Sequence, residues 1–300
     1  MGPACKFRKT YLEITTACNL ACDFCPGTTR PVAYLDVNRA DRYLSLLAPI
    51  SGTLHLHVMG EPLLHPDFAA ILDRCAAHGA MVNLVTNGTL LSRHATILHN
   101  SLALQQISIS LHSLEANAEQ NVAAYIAEVI AFLSTPSPHP MISLRLWNRK
   151  QSLDSAATQS FLSALCASGI YAGKPDTLLN LLQTKGALPL SERLFINTAD
   201  RFEWPSLATP DQGETGRCPG LRDQIAVLVD GTVVPCCLDG NGVTALGNLE
   251  TQSLPEILAS PRSNAMRNGF LKGHITEPLC RHCAYRQRFD KNVLQNPTDQ

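Results

Sequence analysis

The chain has 300 residues, of which 45% are apolar and 16% are charged, and its net charge is −1. This composition suits a globular protein with a sizeable core, and it lacks the basic surplus that usually accompanies nucleic-acid binding. No run of about 18 apolar residues is present, so we expect no membrane span.

Short β-branched runs alternate with helix-period segments over the first two hundred residues. Six runs are predicted as strands: YLEITT (11–16), TLHLHVMG (53–60), MVNLVTNG (81–88), QQISISLHS (105–113), MISLRLWN (141–148) and ERLFINT (192–198). Such alternation favours parallel strands joined by right-handed crossovers. Six units predict an α/β fold with a partial (β/α)6 barrel of the TIM type, because a closed eightfold barrel typically needs about 250 residues.

The segments between the strands have helical periodicity. After the second strand, Phe68, Ile71, Leu72 and Cys75 fall at i, i+3, i+4 and i+7, and Gly79 is the predicted C-cap. Two further helices are predicted, over 116–133 and from Ser253 to about Lys272.

The character of the chain changes at LATPDQGETGRCPG (207–220), a polar passage rich in glycine and proline. We place the domain boundary here, between a core over 1–209 and a small α+β extension over 210–291. In the extension, QIAVLVDGTVVPCC predicts a β-hairpin that turns at Asp230 and Gly231. The polar tail 292–300 is predicted to be disordered.

The eleven cysteines are unevenly spread, and no export signal precedes them. We therefore expect reduced thiols in the cytosol, where clustered cysteines bind metal or carry out redox chemistry.

The stretch TTACNLACDFCPG holds Cys18, Cys22 and Cys25 at C-x3-C-x2-C spacing, directly after the first strand. Three thiols leave one iron of a four-iron, four-sulfur cluster open to a small molecule. A zinc site completed by a distant histidine, or simple reduced thiols, are the alternatives.

Further motifs accompany this loop in a fixed order. Phe24 precedes the third cysteine, MGEPLLHP supplies Gly60 and Glu61 at the end of the second strand, and VTNGTLL and ISISLHS end the next two strands. Together these motifs resemble the radical S-adenosylmethionine (SAM) superfamily. The family often has two glycines before the glutamate, whereas this chain has Met59 at the first of those positions.

The resemblance implies a [4Fe–4S] cluster on the three cysteines, whose open iron binds SAM. It implies that Glu61 meets the methionine ammonium group and that the backbone at Phe24 passes the adenine. Ser110 matches a position that often touches the ribose or carboxylate, Arg145 is a candidate partner for the carboxylate, and Asn87 is a further candidate. A structural hydrogen bond at a strand end is the alternative role for Ser110 and Arg145.

A second set of cysteines lies in the extension: Cys218, Cys236, Cys280 and Cys283. Their spacing suits either a tetrahedral zinc site or a fully ligated iron–sulfur cluster. The pattern C-x12-G-x4-C followed by C-x2-C resembles the front part of the SPASM extension of radical SAM enzymes. Phe289 stands where a further cysteine would follow, and no later cysteine exists. The resemblance is therefore to the shortened "twitch" form, which holds one auxiliary [4Fe–4S] cluster.

Cys237 adjoins a predicted ligand, and neighbouring strand residues face opposite ways. It is a candidate hydrogen donor to a substrate radical, or else a structural thiol. His55 and His57 share one strand face and are predicted either to line the barrel interior or to be satisfied core residues. The run CRHCAYRQRF (280–289) is interpreted as a solvated face.

These features predict a cytosolic enzyme that cleaves SAM and removes hydrogen from a substrate, by dehydrogenation, epimerisation or rearrangement. The auxiliary cluster would accept an electron, and flavodoxin or ferredoxin is the implied donor. Because the cluster loop begins by residue 18, with no peptide-recognition domain before it, we expect a small-molecule substrate. The alternatives are a ribosomally made peptide, an RNA base, which the charge disfavours, and a non-catalytic iron–sulfur or zinc protein.

Overall fold

The computed structural model describes residues 7–114, 121–135, 139–150 and 153–289. The chain forms two compact units. Among the described residues, one unit comprises 7–18, 25–82 and 202–289, and the other comprises 19–24 and the described part of 83–201. No helix in the described ranges is long and apolar enough to cross a membrane. The predicted tail 292–300 lies outside the described residues, and the predicted division at residue 209 stays a prediction.

Strands and helices alternate along the described chain. The strands are β1 (Phe7–Leu12), β2 (Ser51–His55), β3 (Val82–Thr86), β4 (Leu104–Ser110), β5 (Met141–Leu146), β6 (Ala187–Pro189), β7 (Leu194–Thr198), β8 (Gln224–Val227), β9 (Thr232–Val234) and β10 (Gly247–Asn248). The α-helices are α1 (Val37–Leu47), α2 (Phe68–Ala77), α3 (Leu91–Asn100), α4 (Val122–Ser134), α5 (Ala156–Ala167), α6 (Pro175–Lys185), α7 (Leu254–Ala259), α8 (Pro261–Lys272) and α9 (Pro278–Arg281).

The first unit is built around β1, which has a parallel neighbour on each edge. Thr10 lies opposite Leu54 of β2 and opposite Ile225 of β8. The strands β8, β9 and β10 then pair antiparallel, so the order is β10-β9-β8-β1-β2. The last three residues of β1 are all buried, as expected for a parallel strand covered on both faces. The carboxyl end of β1, where the first cysteine loop begins, is therefore firmly held.

The predicted hairpin at Asp230 and Gly231 is confirmed. Gly231 has φ +90°, a conformation that glycine adopts without strain, and the amide of Leu228 donates to the carbonyl of Thr232. Sequence periodicity did not indicate that β8 would extend the parallel sheet beside β1. That pairing depends on a partner more than two hundred residues away, which no local pattern specifies.

The second unit holds the order β3-β4-β5-β7-β6. The least regular of the six predicted strands, ERLFINT, is confirmed as β7, parallel to β5 with Ile142 opposite Leu194. The helix α6 and the short strand β6, which pairs antiparallel with β7, are among the elements for which the sequence analysis gave no bounds. The alternation of parallel strands with helices confirms the α/β class.

Helix α2 has the predicted buried stripe. Phe68, Ile71, Leu72 and Cys75 are fully buried, and each large apolar side chain contributes about 1.5–3 kcal/mol on burial. Gly79 adopts φ +64°, and its amide donates to the carbonyl of Ala76, as a C-terminal glycine should. The predicted helix over 116–133 is described from Val122 onward, and its first residues lie outside the described ranges.

The prediction of one helix from Ser253 to about Lys272 was wrong, because α7 and α8 are separate helices. Pro261 has no amide hydrogen and forces Ser260 into an extended conformation, with ψ 152°. The Ser260 hydroxyl then accepts from the amide of Ser263 and caps α8. The Ser-Pro pair, visible in the sequence, is the signal that marks this break.

Candidate functional site

The first cysteine loop is closed at its base by two threonines that follow β1. The Thr15 hydroxyl donates to the carbonyl of Ala33, and the Thr16 hydroxyl donates to the carbonyl of Pro31, each at 2.9 Å. The chain between them therefore leaves the sheet and returns at a defined point. Cys18 and Cys25 are exposed members of the first unit. Cys22 is half-buried and belongs to the second unit, so the joint arrangement of the three thiols stays a prediction.

The glycine–glutamate turn lies directly against the start of this loop. The amide of Glu61 donates to the carbonyl of Ala17, the residue before Cys18, at 2.7 Å. Gly60 has φ +76°, and a Cβ there would lie 2.5 Å from the carbonyl oxygen of Thr15. Only glycine permits this close approach. The two motifs that sequence analysis paired are thus joined through the backbone.

The Glu61 side chain is buried, with 2% of its surface exposed. Its carboxylate accepts from the amide of Leu63 at 3.1 Å and so caps the short 3-10 helix Pro62–Leu64. This contact holds the carboxylate in one orientation. A fixed, buried carboxylate can make a strong, directional contact with an ammonium group.

Met59 stands where the family often has glycine, and its side chain fills a core position. It belongs to a buried cluster with Tyr11, Val58, Ala226, Leu228 and Val234. The side chain also covers Gly240, where a Cβ would collide with the Met59 methyl group. The departure from the family pattern is therefore accommodated by packing, while Gly60 keeps the backbone approach.

We expect Gly240→Ala to lower the free energy of unfolding by about 1–2 kcal/mol, because the new methyl group must displace Met59. Met59→Ala removes that obstacle. The double variant should therefore lose less than the sum of the single losses. Urea unfolding of the four proteins measures this, and strictly additive losses would contradict the contact.

In the second unit, two predicted residues lie at the ends of one row of side chains. The Phe24 and His112 rings are 4.9 Å apart, and His112 stacks on Trp147 at 6.1 Å with an interplanar angle of 7°. The Arg145 guanidinium lies over Trp147 at 4.8 Å. This aromatic row, Phe24–His112–Trp147–Arg145, brings a cation and three rings to the carboxyl ends of β4 and β5.

The remaining candidates occupy strand ends in the same unit. Ser110 is half-buried and lies opposite Arg145 in the register of β4 and β5, so the structure brings these two predicted residues together. The Asn87 amide donates to Asn19 at 2.9 Å, and its oxygen accepts from the amide of Thr89 at 3.0 Å. Asn87 thus ties the strand end to the first residue after Cys18.

Sequence analysis missed His112, Trp147 and Arg201. The Arg201 guanidinium lies 4.9 Å from the Phe24 ring centre and donates to Asp23 at 3.3 Å. Arg201, the last residue of this unit, therefore contacts two residues of the cysteine loop. Trp147 directly follows β5, and His112 lies two residues after the end of β4. Position at the carboxyl end of a parallel strand was the available signal for them.

The four cysteines of the extension line one cavity in the first unit. Its wall comprises Cys218, Cys236, Cys280, Cys283, Asp239 and Arg286, with surrounding apolar groups. Burial raises the pKa of all four thiols above the usual value, to about 11 for Cys218. Mutual repulsion adds to the rise at three of them, since Cys218, Cys236 and Cys280 each interact with neighbouring cysteines of the set.

The interpretation of residues 280–289 as a solvated face was wrong for Arg286. This side chain is buried, with 3% exposed, and donates to the carbonyls of Gln212, Gly213 and Thr215 at 2.6 Å. It holds the segment that leads to Cys218 against the 3-10 helix Ala284–Phe289, which follows Cys283. A run of basic residues gives no sign that one of them is buried, because burial here depends on carbonyls seventy residues away.

Cys236 and Cys237 face opposite ways, as predicted. Cys236 lines the four-cysteine cavity, whereas Cys237 packs against the Met59 cluster. The Tyr11 hydroxyl hydrogen-bonds the Cys237 thiol, and burial together with this contact raises the pKa of Tyr11. Tyr11 also stacks on His55 at 4.7 Å and meets His57 edge-on at 5.6 Å. The two histidines therefore share one face, as expected, and that face carries Tyr11.

Comparison with known proteins shows two domain matches. A model described as "Radical SAM superfamily" matches residues 12–131, and one described as "Iron-sulfur cluster-binding domain" (SPASM) matches residues 218–284. The chain carries a radical SAM domain followed by a SPASM domain.

Individual relatives agree with this assignment. An AdoMet-dependent heme synthase of Methanosarcina barkeri is 30% identical over 112 residues, 36% of this chain and 32% of the relative. The chain spans about a third of the length of the curated relatives it matches.

Two solved structures with a similar fold illustrate the likeness. BtrN in complex with AdoMet and 2-DOIA has a TM-score of 0.58 at 17% identity, over 93% of each chain. Streptococcus suis SuiB bound to the precursor peptide SuiA has 0.59 at 14% identity, over 93% of this chain and 71% of SuiB. This likeness confirms the predicted partial-barrel α/β fold.

The cofactors of the two domains are SAM with its [4Fe–4S] cluster and an auxiliary iron–sulfur centre. The side chains fit these groups chemically. Four thiols lining one cavity are a suitable donor set for iron, and a cationic centre would offset the repulsion among them. Within the described ranges no group of three or more His, Cys, Asp or Glu side chains is arranged to hold a single metal ion. The ligand roles of the individual cysteines remain predictions.

Proposed function

We propose that this radical SAM protein cleaves SAM reductively on the loop of Cys18, Cys22 and Cys25. The 5′-deoxyadenosyl radical so formed would remove a hydrogen atom from a small-molecule substrate. The observation that carries the proposal is the backbone hydrogen bond from Glu61 to Ala17. It joins the ammonium-binding motif to the residue before the first cysteine, so both motifs can act on one SAM molecule.

The chain's own residues would bind and orient SAM. The buried carboxylate of Glu61 would accept the methionine ammonium group. The backbone at Gly60, which lies against the carbonyl of Thr15, would approach the same end of the ligand. The aromatic row offers a guanidinium at Arg145 for the SAM carboxylate and Phe24 for the adenine. Ser110 and Asn87 supply hydrogen-bonding groups at neighbouring strand ends.

We propose dehydrogenation or epimerisation as the net reaction. In dehydrogenation, the substrate C–H bond breaks to give 5′-deoxyadenosine, and the substrate radical then loses one proton and one electron. A cluster held by Cys218, Cys236, Cys280 and Cys283 would supply the electron acceptor, since four protein ligands would leave no position for substrate. A flavodoxin or ferredoxin would deliver the electron that cleaves SAM.

Anaerobic reconstitution tests the SAM-cleaving role. The chain should take up roughly eight irons, four for each cluster, and form 5′-deoxyadenosine with dithionite and SAM. The variant with all three loop cysteines changed to alanine should keep roughly four irons and form none. A fully loaded wild-type chain that never consumes SAM would contradict the proposal.

Hydrogen transfer from the substrate to 5′-deoxyadenosine can distinguish a small-molecule substrate from a peptide substrate. Extract from cells grown in heavy water is split by size, and each fraction is incubated with the loaded enzyme and SAM. We expect deuterium in 5′-deoxyadenosine with the small-molecule fraction, because compact aromatic groups such as His112 and Trp147, beside the residues proposed to bind SAM, suit a small molecule. Deuterium transfer confined to the peptide fraction would favour the rival function, peptide modification.

Cys237 is the proposed hydrogen donor if the reaction is an epimerisation. Tyr11 holds its thiol on the face away from the four-cysteine cavity. We expect Cys237→Ala to form 5′-deoxyadenosine at the wild-type rate while product formation falls at least about a hundredfold. Cys166→Ala, a half-buried cysteine on α5, is the matched control. Unchanged product formation in Cys237→Ala would remove this role.

A further inference from the structure

The carboxylate of Glu13, immediately after β1, is the meeting point of three segments of the first unit. The residue is fully buried. Its oxygens accept from Arg30 at 2.7 and 2.5 Å, from the amide of Met59 at 3.1 Å and from the amide of Val229 at 2.9 Å. Four donors on one buried carboxylate satisfy its charge and its hydrogen-bonding capacity together.

Arg30 extends the same network. Its side chain is 14% exposed, two of its nitrogens form the bidentate pair with Glu13, and Nε donates to the carbonyl of Gly240 at 2.8 Å. All three nitrogens of the guanidinium are thus used. Lysine has no planar fork and could not make this set of contacts.

The partners of this pair belong to the parts of the protein that the proposed function uses. Arg30 lies five residues after Cys25, and Met59 directly precedes Gly60 and Glu61. Val229 and Gly240 lie on either side of Cys236 in the SPASM domain. The pair therefore connects the cysteine loop and the glycine–glutamate turn to the segment that carries an auxiliary ligand.

A second contact runs between the same two segments. The side-chain oxygen of Asn241 accepts from the Thr28 hydroxyl at 2.8 Å and from the Thr29 amide at 3.1 Å. The cysteine loop is thus held twice by residues 240–241, once through Arg30 and once through Asn241.

We propose that Glu13 and Arg30 form a clamp through which the SPASM segment 229–241 positions the SAM-binding loop and turn. Glu13 and Arg30 are positioning residues, and integrity of the auxiliary site controls SAM affinity at the first cluster. The inference rests on the proposed function. The Glu13 carboxylate can bind Arg30, Met59 and Val229 together only when segment 229–241 is in place. If that segment moves away, the buried charge of Glu13 loses a donor, and this strongly disfavours the displaced state.

SAM affinity of the loaded full-length chain tests the clamp, read from the change in the electron paramagnetic resonance spectrum of the reduced cluster on SAM addition. We expect Glu13→Gln to weaken SAM binding about tenfold or more, because the amide can accept from only some of the four donors. Asn241→Ala, which leaves the buried pair intact, should weaken binding about threefold. Glu250→Gln is the matched control. It breaks the partly exposed ion pairs with Arg39 and Arg42 in the same unit and should leave SAM binding unchanged.

The coupling is measured by a double-mutant cycle. Cys236→Ser should weaken SAM binding in the wild-type background and add little in the Glu13→Gln background, because the connection is already broken. Additive losses, or binding by Glu13→Gln and Asn241→Ala within twofold of wild type, would overturn the clamp. Those results leave SAM cleavage by the wild-type chain intact, whereas a wild-type chain that never cleaves SAM refutes the proposed function itself. If Glu13→Gln does not fold, Asn241→Ala alone carries the test.

Discussion

Gly60→Ala should lower the free energy of unfolding by about 2–5 kcal/mol and abolish SAM binding. Two effects add at this position. The backbone has φ +76°, which costs an L-residue about 1–3 kcal/mol. The new Cβ would also lie 2.5 Å from the carbonyl of Thr15 and 2.8 Å from that of Ala17, and neither backbone oxygen can rotate away.

Gly79→Ala separates these two effects. Gly79 has a similar φ of +64°, but nothing lies within 4 Å of its would-be Cβ. Its replacement should cost about 1 kcal/mol and leave SAM binding intact. Urea unfolding and SAM titration of both variants give the comparison. Equal losses in the two variants would show that the close contact between the turn and the cysteine loop does not exist.

Arg286→Met should lower the free energy of unfolding by about 2–4 kcal/mol and empty the auxiliary site. The substitution keeps much of the apolar stem and removes three donors from the carbonyls of Gln212, Gly213 and Thr215. These carbonyls belong to the segment before Cys218, and Arg286 itself follows Cys283 by three residues. Without these hydrogen bonds, the segments that carry Cys218 and Cys283 are no longer held together. Two of the four thiols then lose their fixed positions in the cavity.

The cleanest readout uses the background in which the three loop cysteines are alanine. That protein should hold roughly four irons, and Arg286→Met should reduce the number well below this value. Arg42 is a half-exposed arginine of α1, far from Arg286 in the sequence. Arg42→Met should change neither the iron content nor the stability. Retention of all four irons by Arg286→Met would show that the segment is held by other contacts.

The motifs that sequence analysis singled out are those that one short segment specifies. The loop of three cysteines and the glycine–glutamate turn each lie within a dozen residues. The six predicted runs overlap six barrel strands, but the first was predicted over 11–16, whereas β1 is Phe7–Leu12. Even the exchange of glycine for Met59 was visible, although its consequence was not, because the space for its side chain is left by Gly240.

The features that were missed depend on contacts between distant segments. Glu13 stands in an ordinary strand sequence, and its partner amide at Val229 is 216 residues away. Arg286 is one of several arginines near the second cysteine pair, and only the carbonyls around it distinguish it from a solvated residue. A single sequence carries no signal for such pairings, since the same residue types would serve equally well on the surface.

The pairing of β1 with β8 has a consequence for how the chain is made. One edge of β1, and the carboxylate of Glu13 at its end, find their partners only when residues 224–229 have left the ribosome. At about 5–20 residues per second, this is about 10–40 s after β1 itself emerges. Throughout that time the growing chain exposes an unpaired strand edge, the feature through which unfinished sheets associate with one another. Low yields on fast overexpression, relieved by slower synthesis or by chaperones that shield strand edges, are the expected behaviour of this topology.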